Sequence, residues 1–301
     1  MYGVCRWNLN RASNKLYRNE KVHLRLGSVQ QRIVSELLSD GLAVVHFNEL
    51  FPNKSLSDFT EAADALMREP RNQARVKAIR EGKTSPSDFK FYLVHLLGYP
   101  PAFSFNDNFL QLSLSQEVHA IACAYLGTLC RLVQVDLWCN VPTQGPSLYS
   151  QRWHRDPDDK RILKLFLYLR DVNEGNGPLN YIPKTQNGGR FSSTYRQTMH
   201  TSIYPGDAEV AERFSKEQVK VITGRAGTLV LCDTTGLHRG GHPTHDLRVL
   251  FHSVYTTNAG VSFNGTRYSL VGTPNQQLTV AEEYAIGHLN QSRSRNNNES
   301  L

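Results

Sequence analysis

Residues 153–185 read WHRDPDDKRILKLFLYLRDVNEGNGPLNYIPKT. Within this stretch, Leu163, Leu165, Leu167 and Leu169 fall on one side of an extended chain, and Lys164, Phe166 and Tyr168 on the other. That is the period of two a strand imposes, so Ile162 to Leu169 is read as a strand. Asn176-Gly177-Pro178 behind it is a turn signal. Working outward, Arg131 to Val141 reads as another strand, with Gln134, Asp136 and Trp138 on one face. Thr228 to Cys232 and Arg248 to Thr256 read as two more, with turns at Asn187-Gly188-Gly189 and Gly240-Gly241. Several short strands punctuated by turns predict a jelly-roll or related barrel with helices packed outside it.

The helical part comes first in the chain. Ser28 and Gln31 have capping-box spacing, and Val29, Ile33, Leu37 and Leu38 follow at helical intervals until Gly41 stops them. Leu42 to Phe47 is a short apolar strand. Phe59, Ala62, Ala63 and Leu66 mark a second helix that Pro70 ends, with a polar, basic helix-and-loop segment over 71–90. Gln116 to Leu126 predicts a third helix, closed by Gly127. The chain is read as a single domain over 1–291. About 1–127 is mostly helical, 128–260 is the jelly-roll core, 261–291 is a C-terminal part, and 292–301 is a polar tail.

The bulk numbers restrict the function classes. A hydrophobic share of 40% with 20% charged residues is that of a globular chain with a core. The net charge of +7 is spread along the sequence without a dense basic run, which favours a solvated basic surface over a nucleic-acid partner. The five cysteines, Cys5, Cys123, Cys130, Cys139 and Cys232, are odd in number and match no zinc-site spacing. The polar stretch Met1 to Arg18 lacks a signal core, and no stretch approaches membrane-span length. The expected setting is a reducing cytoplasm.

Three elements carry chemistry. On extended backbone, His154 and Asp156 point to the same side and can converge on one point. An imidazole and a carboxylate make two legs of a facial triad, which leaves positions on iron(II) open for cosubstrate and oxygen. A His-x-Asp also arises by chance, so the second element matters: a strand over 227–232 leads into Leu237-His238-Arg239-Gly240-Gly241, and His238 would be the third ligand. Third, Arg248 starts an alternating strand, where a guanidinium facing the barrel mouth suits the distal carboxylate of 2-oxoglutarate in a two-point fork. Each of these residues, taken alone, also has an ordinary structural use.

The stretch quoted above, together with GTLVLCDTTGLHRGGHPTHDLRVLFHSVY at 227–255, resembles the phytanoyl-CoA dioxygenase family of iron(II)/2-oxoglutarate oxygenases. The shared pattern is a His-x-Asp, an apolar strand, an Asp-Val, an Asn-Gly-Pro turn, a His in a His-Arg-Gly context and an Arg about ten residues on. The match runs over about 130–258, and DGLAVVHF at 40–47 is similar to the family's N-terminal region. The resemblance implies a double-stranded β-helix core with flanking helices, iron(II) held by His154, Asp156 and His238, and 2-oxoglutarate anchored by Arg248, with O2 as the second cosubstrate. Many members carry a small hydroxyl residue where Gly240 stands here. Lys164, Gln134 and Tyr168 are inward-facing candidates for the contact it would make, and Trp138 and Trp153 for walls of the pocket. The implied reaction couples decarboxylation of 2-oxoglutarate, to succinate and CO2, to oxidation of an unactivated C–H bond. A carboxylate at Asp156 favours hydroxylation, ring closure, desaturation or epimerisation over halogenation.

Rival readings are a non-catalytic binding protein that retained the fold, and an oxygenase acting on nucleic acid or protein. His154-Arg155-Asp156 also spells the catalytic tripeptide of protein kinases, but Arg161 stands where that loop needs Asn, and no glycine-rich phosphate loop is present. A small substrate, lipid-derived, amino-acid or secondary-metabolite in kind, is preferred. Its specificity is expected in the loops of about 71–110 and 185–220.

Overall fold

The computed structural model describes residues 2–20, 24–85, 90–198, 201–260 and 266–287, with side chains for residues 9–19 in the first helix. The polar tail expected at 292–301 lies outside the described residues, as does the side chain of Cys5.

Helices α1 (Tyr2–Glu20) and α2 (Ser28–Asp40) precede strand β1 (Leu42–His46). A short helix α3 (Phe47–Leu50) leads to α4 (Ser57–Arg68) and α5 (Pro70–Arg80). Pro70 both ends the first of these and begins the second, because its fixed φ and missing N–H suit the opening turn of a helix. The segment 71–90, read as helix and loop, is helical to Arg80 and turns into irregular chain over 81–85. Short strands β2 (Leu93–His95) and β3 (Ala102–Ser104) are followed by α6 (Asn108–Leu114), α7 (Gln116–Leu126), β4 (Arg131–Asn140), β5 (Leu163–Tyr168) and β6 (Leu179–Tyr181). The remainder is α8 (Asp207–Arg213), β7 (Lys220–Ile222), β8 (Thr228–Asp233), β9 (His238–Gly240), β10 (Arg248–Thr256), β11 (Ser269–Val271) and α9 (Val280–Ile286).

The expected cap of α2 is corrected by one residue. Gly27 is the extended N-cap, Ser28 is already helical, and it is Gln30, not Gln31, whose Oε1 accepts from the Gly27 N–H at 2.6 Å. At the other end Gly41 takes a left-handed φ of 73°, which a residue with a Cβ adopts only at a cost.

The large sheet runs β1-β8-β5-β10-β4-β2 and is antiparallel throughout. The small sheet runs β7-β6-β9, also antiparallel, and a backbone bridge between His154 and His238 extends it. The alternation within β5 divides the core. Leu163, Leu165, Leu167 and Leu169 turn to the helical side, where Phe251 of β10 and Ile33 and Leu37 of α2 join them. Phe166 and Tyr168 face the other way and pack with Val230, Leu250, Leu179 and Tyr181 between the two sheets. This is a jelly-roll core flanked by helices. Each fully buried leucine or phenylalanine contributes roughly 1.5–3 kcal/mol of transfer free energy. The largest burial therefore lies on the helical side, and the inter-sheet side is left to carry polar groups. Every residue of β10 is buried, from Arg248 to Thr256, which puts an arginine at the mouth of a closed interior.

Candidate active site

Two segments that are distant in sequence meet through backbone hydrogen bonds. The His154 N–H donates to the His238 carbonyl at 2.9 Å and the His238 N–H to the His154 carbonyl at 3.0 Å, while Asp156 N–H donates to Thr234 at 2.9 Å. This pairing sets both imidazoles side by side, with ring centroids 4.2 Å apart. Nδ1 of His154 lies 2.8 Å from the Arg152 carbonyl and Nδ1 of His238 lies 2.9 Å from the Gly236 carbonyl. A carbonyl only accepts, so each Nδ1 carries the proton and each Nε2 keeps a free lone pair. Those two Nε2 atoms stand 3.7 and 3.8 Å from the carboxylate oxygens of Asp156. One donor atom from each of the three residues lies within 4.8 Å of the others, and all three side chains are buried. A metal ion is what such a donor set fits. The carbonyls behind the histidines fix tautomer and ring orientation, as outer partners do in metal centres.

The electrostatics agree with that fit. Burial, and then the neighbouring His154, push His238 down to about 3, and burial also lowers His154, so both rings are neutral. Burial alone would raise Asp156, but Lys164 above all, with the two histidines, holds it well below the usual carboxylate range. Lys164 Nζ is 2.6 Å from its Oδ2.

The cavity beside these residues is also lined by Arg248, Lys164, Tyr168, Trp138, Asn140 and Ser150. Arg248 is buried, which lowers its pKa, and its guanidinium lies against Gly240: a Cβ built there would stand 3.1 Å from Nη2. The Tyr168 hydroxyl donates to the Ile222 carbonyl at 2.8 Å, so its ring forms the wall more than its oxygen reaches the cavity. Gln134 is corrected. It shares the inward face, but it sits toward the far end of β4, opposite Val254, where Arg267 donates to its Oε1 at 3.3 Å, and it does not line the cavity. The hydroxyl groups near Arg248 come instead from Ser150 and Tyr92, whose oxygens are 2.9 Å apart. Tyr92 lies in a turn and Ser150 in a single 3-10 turn over Tyr149–Gln151, neither with a motif, so no periodicity marked them.

Trp138 lines the cavity and donates from Nε1 to Asp136 at 2.7 Å, and the same carboxylate is 2.5 Å from His95. Trp153 does not line it. One residue before His154 on an extended chain, it points to the opposite side, packs with Ile182, Val210 and Leu237, and lies under the Arg239 guanidinium. Arg155, between the two candidate ligands, likewise turns away. It donates to the carbonyls of Thr185, Thr235 and Thr194, a clamp on three loop segments. The expected specificity segments do reach the site: Lys90 and Tyr92 line the cavity, and Tyr204 stacks on His154 at 5.7 Å.

Residues 39–248 match the family model described as phytanoyl-CoA dioxygenase (PhyH). The chain belongs to the phytanoyl-CoA dioxygenase family. As a member of it, the protein is a 2-oxoglutarate-dependent dioxygenase that uses iron. No curated protein sequence matches it significantly. Among solved structures it is similar to EctD from S. alaskensis, solved with 2-oxoglutarate and 5-hydroxyectoine. The two are 20% identical, over 77% of this chain and 76% of that one, with a TM-score of 0.50. It is also similar to the epimerase SnoN in complex with Fe3+, alpha ketoglutarate and nogalamycin RO, at 15% identity over 82% of this chain and 97% of that one, with a TM-score of 0.51. Identities this low establish a shared fold. No helix among the described residues is long and apolar enough to cross a membrane.

Proposed function

We propose that His154, Asp156 and His238 hold Fe(II), that Arg248 anchors the distal carboxylate of 2-oxoglutarate, and that the enzyme oxidises an unactivated C–H bond of a small organic substrate, by hydroxylation in the simplest case. The observation that carries the reading is the pair of Nε2 lone pairs turned toward the Asp156 carboxylate, each fixed by a carbonyl behind its ring. When bound, iron and 2-oxoglutarate supply the oxidising power, with succinate and CO2 as the coproducts.

The protein's own groups do the rest. The two neutral imidazoles and the carboxylate would hold the ion from the protein side and leave room for ligands from the cavity. The Arg248 guanidinium, buried and without a carboxylate of its own among the described salt bridges, presents parallel donors to a planar carboxylate. Ser150 and Tyr92 supply hydroxyls beside it, in place of the one absent at Gly240. Lys164 neutralises Asp156 and stands at the cavity wall, where its ammonium would be within reach of a cosubstrate carboxylate when Asp156 serves as a metal ligand. Trp138, oriented by Asp136, and Tyr204 over His154 keep water from the reacting face.

A single oxygenase domain over 1–291 working in the cytoplasm belongs to the same reading. The dispersed charge and the partly enclosed cavity favour a small substrate over nucleic acid or protein. Succinate release from 2-oxoglutarate under anaerobically loaded Fe(II), with a panel of lipid-derived, amino-acid and secondary-metabolite substrates, tests it. Coupled turnover and a product heavier by one oxygen support the reading. Failure to release succinate with every substrate, in protein that retains iron, would leave a non-catalytic binding protein.

A further inference from the structure

His119, Cys123 and Cys130 bring three metal-ligating atoms together on the helical side of the fold. His119 and Cys123 are one turn apart on α7, so both project from the same face of the helix. Gly127, at φ 73°, then reverses the chain and returns Cys130 to that face just before β4. The Cys123 Sγ lies 3.5 Å from the Cys130 Sγ and 3.7 Å from the His119 Nε2, and all three donors lie within 4.8 Å of one another. None of the three lines the cavity at His154, Asp156 and His238.

Those separations have a chemical meaning. Zinc–sulfur and zinc–nitrogen bonds of about 2.3 and 2.05 Å at tetrahedral angles give an S–S edge of about 3.8 Å and an N–S edge of about 3.6 Å. The observed edges lie within a few tenths of an ångström of both. Charge selects the ion as well. His119 is 2% exposed and both cysteines are fully buried, so an uncompensated charge there is costly. Two thiolates and one neutral imidazole around a divalent ion sum to zero, whereas a monovalent ion would leave a buried negative charge. Thiolate donors select a thiophilic metal over the hard cations that oxygen ligands take. His119 also lines a cleft with Gln116, Thr279 and Glu282.

The geometry points to a second metal site, in which His119, Cys123 and Cys130 bind one zinc ion separately from the catalytic iron. It would tie α7 to the start of β4, the strand that carries Trp138 and Asn140 into the active-site cavity.

The test uses the full chain with His154→Ala and Asp156→Ala together, which leave one of the three candidate iron ligands, reduced and reconstituted anaerobically with Zn(II) and, separately, Co(II). About one zinc per chain is expected to survive dialysis, and cobalt is expected to give the near-ultraviolet thiolate charge-transfer band and intense visible bands of a tetrahedral ion. Cys123→Ser and Cys130→Ser should each abolish the thiolate band. Should these variants fail to fold, the His154→Ala/Asp156→Ala protein decides alone. No retained zinc, with all five cysteines titrating as thiols in the denatured chain, overturns the proposal, as does a cobalt spectrum without the thiolate band. A Cys123–Cys130 disulfide that persists in the reduced preparation also overturns it.

Discussion

Lys164 holds its ammonium nitrogen 2.6 Å from Oδ2 of Asp156, the carboxylate that also faces both imidazoles. The two side chains are adjacent in space but come from different elements, one from the loop after His154 and the other from β5. In the metal-free protein this contact compensates a buried carboxylate. Lys164→Met should therefore destabilise the metal-free protein by about 3 kcal/mol, since it leaves a buried charge unpaired. Saturating Mn(II), which takes over the compensation, should recover most of that loss. Urea denaturation with and without metal measures both, and an equal loss in the two conditions would count against the relationship.

His154→Ala and Asp156→Ala should each lower coupled succinate formation on the order of 10³-fold or more by removing an iron ligand. The fold should persist, because the backbone bonds joining 154 to 238 and 156 to 234 do not involve these side chains. Circular dichroism and bound-iron analysis check the two halves. Full activity in either variant would remove that residue from the centre.

Arg248→Ala should raise the 2-oxoglutarate KM about 100-fold while the KM of the oxidised substrate moves little, since a forked charge-assisted pair is lost at one ligand only. Gly240→Val should do the same more weakly. Its side chain would crowd Arg248 Nη2, which a mere Cβ already approaches to 3.1 Å. Steady-state kinetics varied in each substrate separate these effects. An unchanged 2-oxoglutarate KM in Arg248→Ala would place the anchor elsewhere.

Acid should destabilise the metal-free protein through His238. Its folded pKa is pushed down to about 3, chiefly by burial, while the unfolded residue titrates near 6.5. Below pH 6.5 the unfolded state then binds the extra proton, so stability is lost as pH falls from about 6.5 toward 3 and is fully present above that window. His238→Asn should make this acid slope shallower by about one proton, read from urea midpoints between pH 7 and pH 5. Parallel slopes in the two proteins would contradict the assignment.

The two tryptophans should separate cleanly. Trp138→Ala opens the cavity wall and is expected to uncouple 2-oxoglutarate decarboxylation from substrate oxidation, which the ratio of succinate to product reports. Trp153→Ala is expected to cost about 3 kcal/mol of stability with coupling intact, because it removes buried ring area outside the cavity. Uncoupling by Trp153→Ala with wild-type stability would reverse this assignment.

Sequence by itself determined what depends on local periodicity. The alternation of β5, the i and i+2 placement of His154 and Asp156, the glycine stops at Gly41 and Gly127, and the inward arginine opening β10 all follow from backbone geometry within a few residues. Tertiary structure alone decided which inward positions share a cavity. Gln134 and Trp138 lie on one face of one strand, yet only Trp138 reaches the site, because distance along a strand relative to the barrel mouth is set by pairing partners far away in the chain. The same holds for Ser150 and Tyr92 beside Arg248, and for the return of Cys130 to His119 and Cys123. Those meetings are made by loops and by register between elements, and a single chain's local pattern carries no record of them.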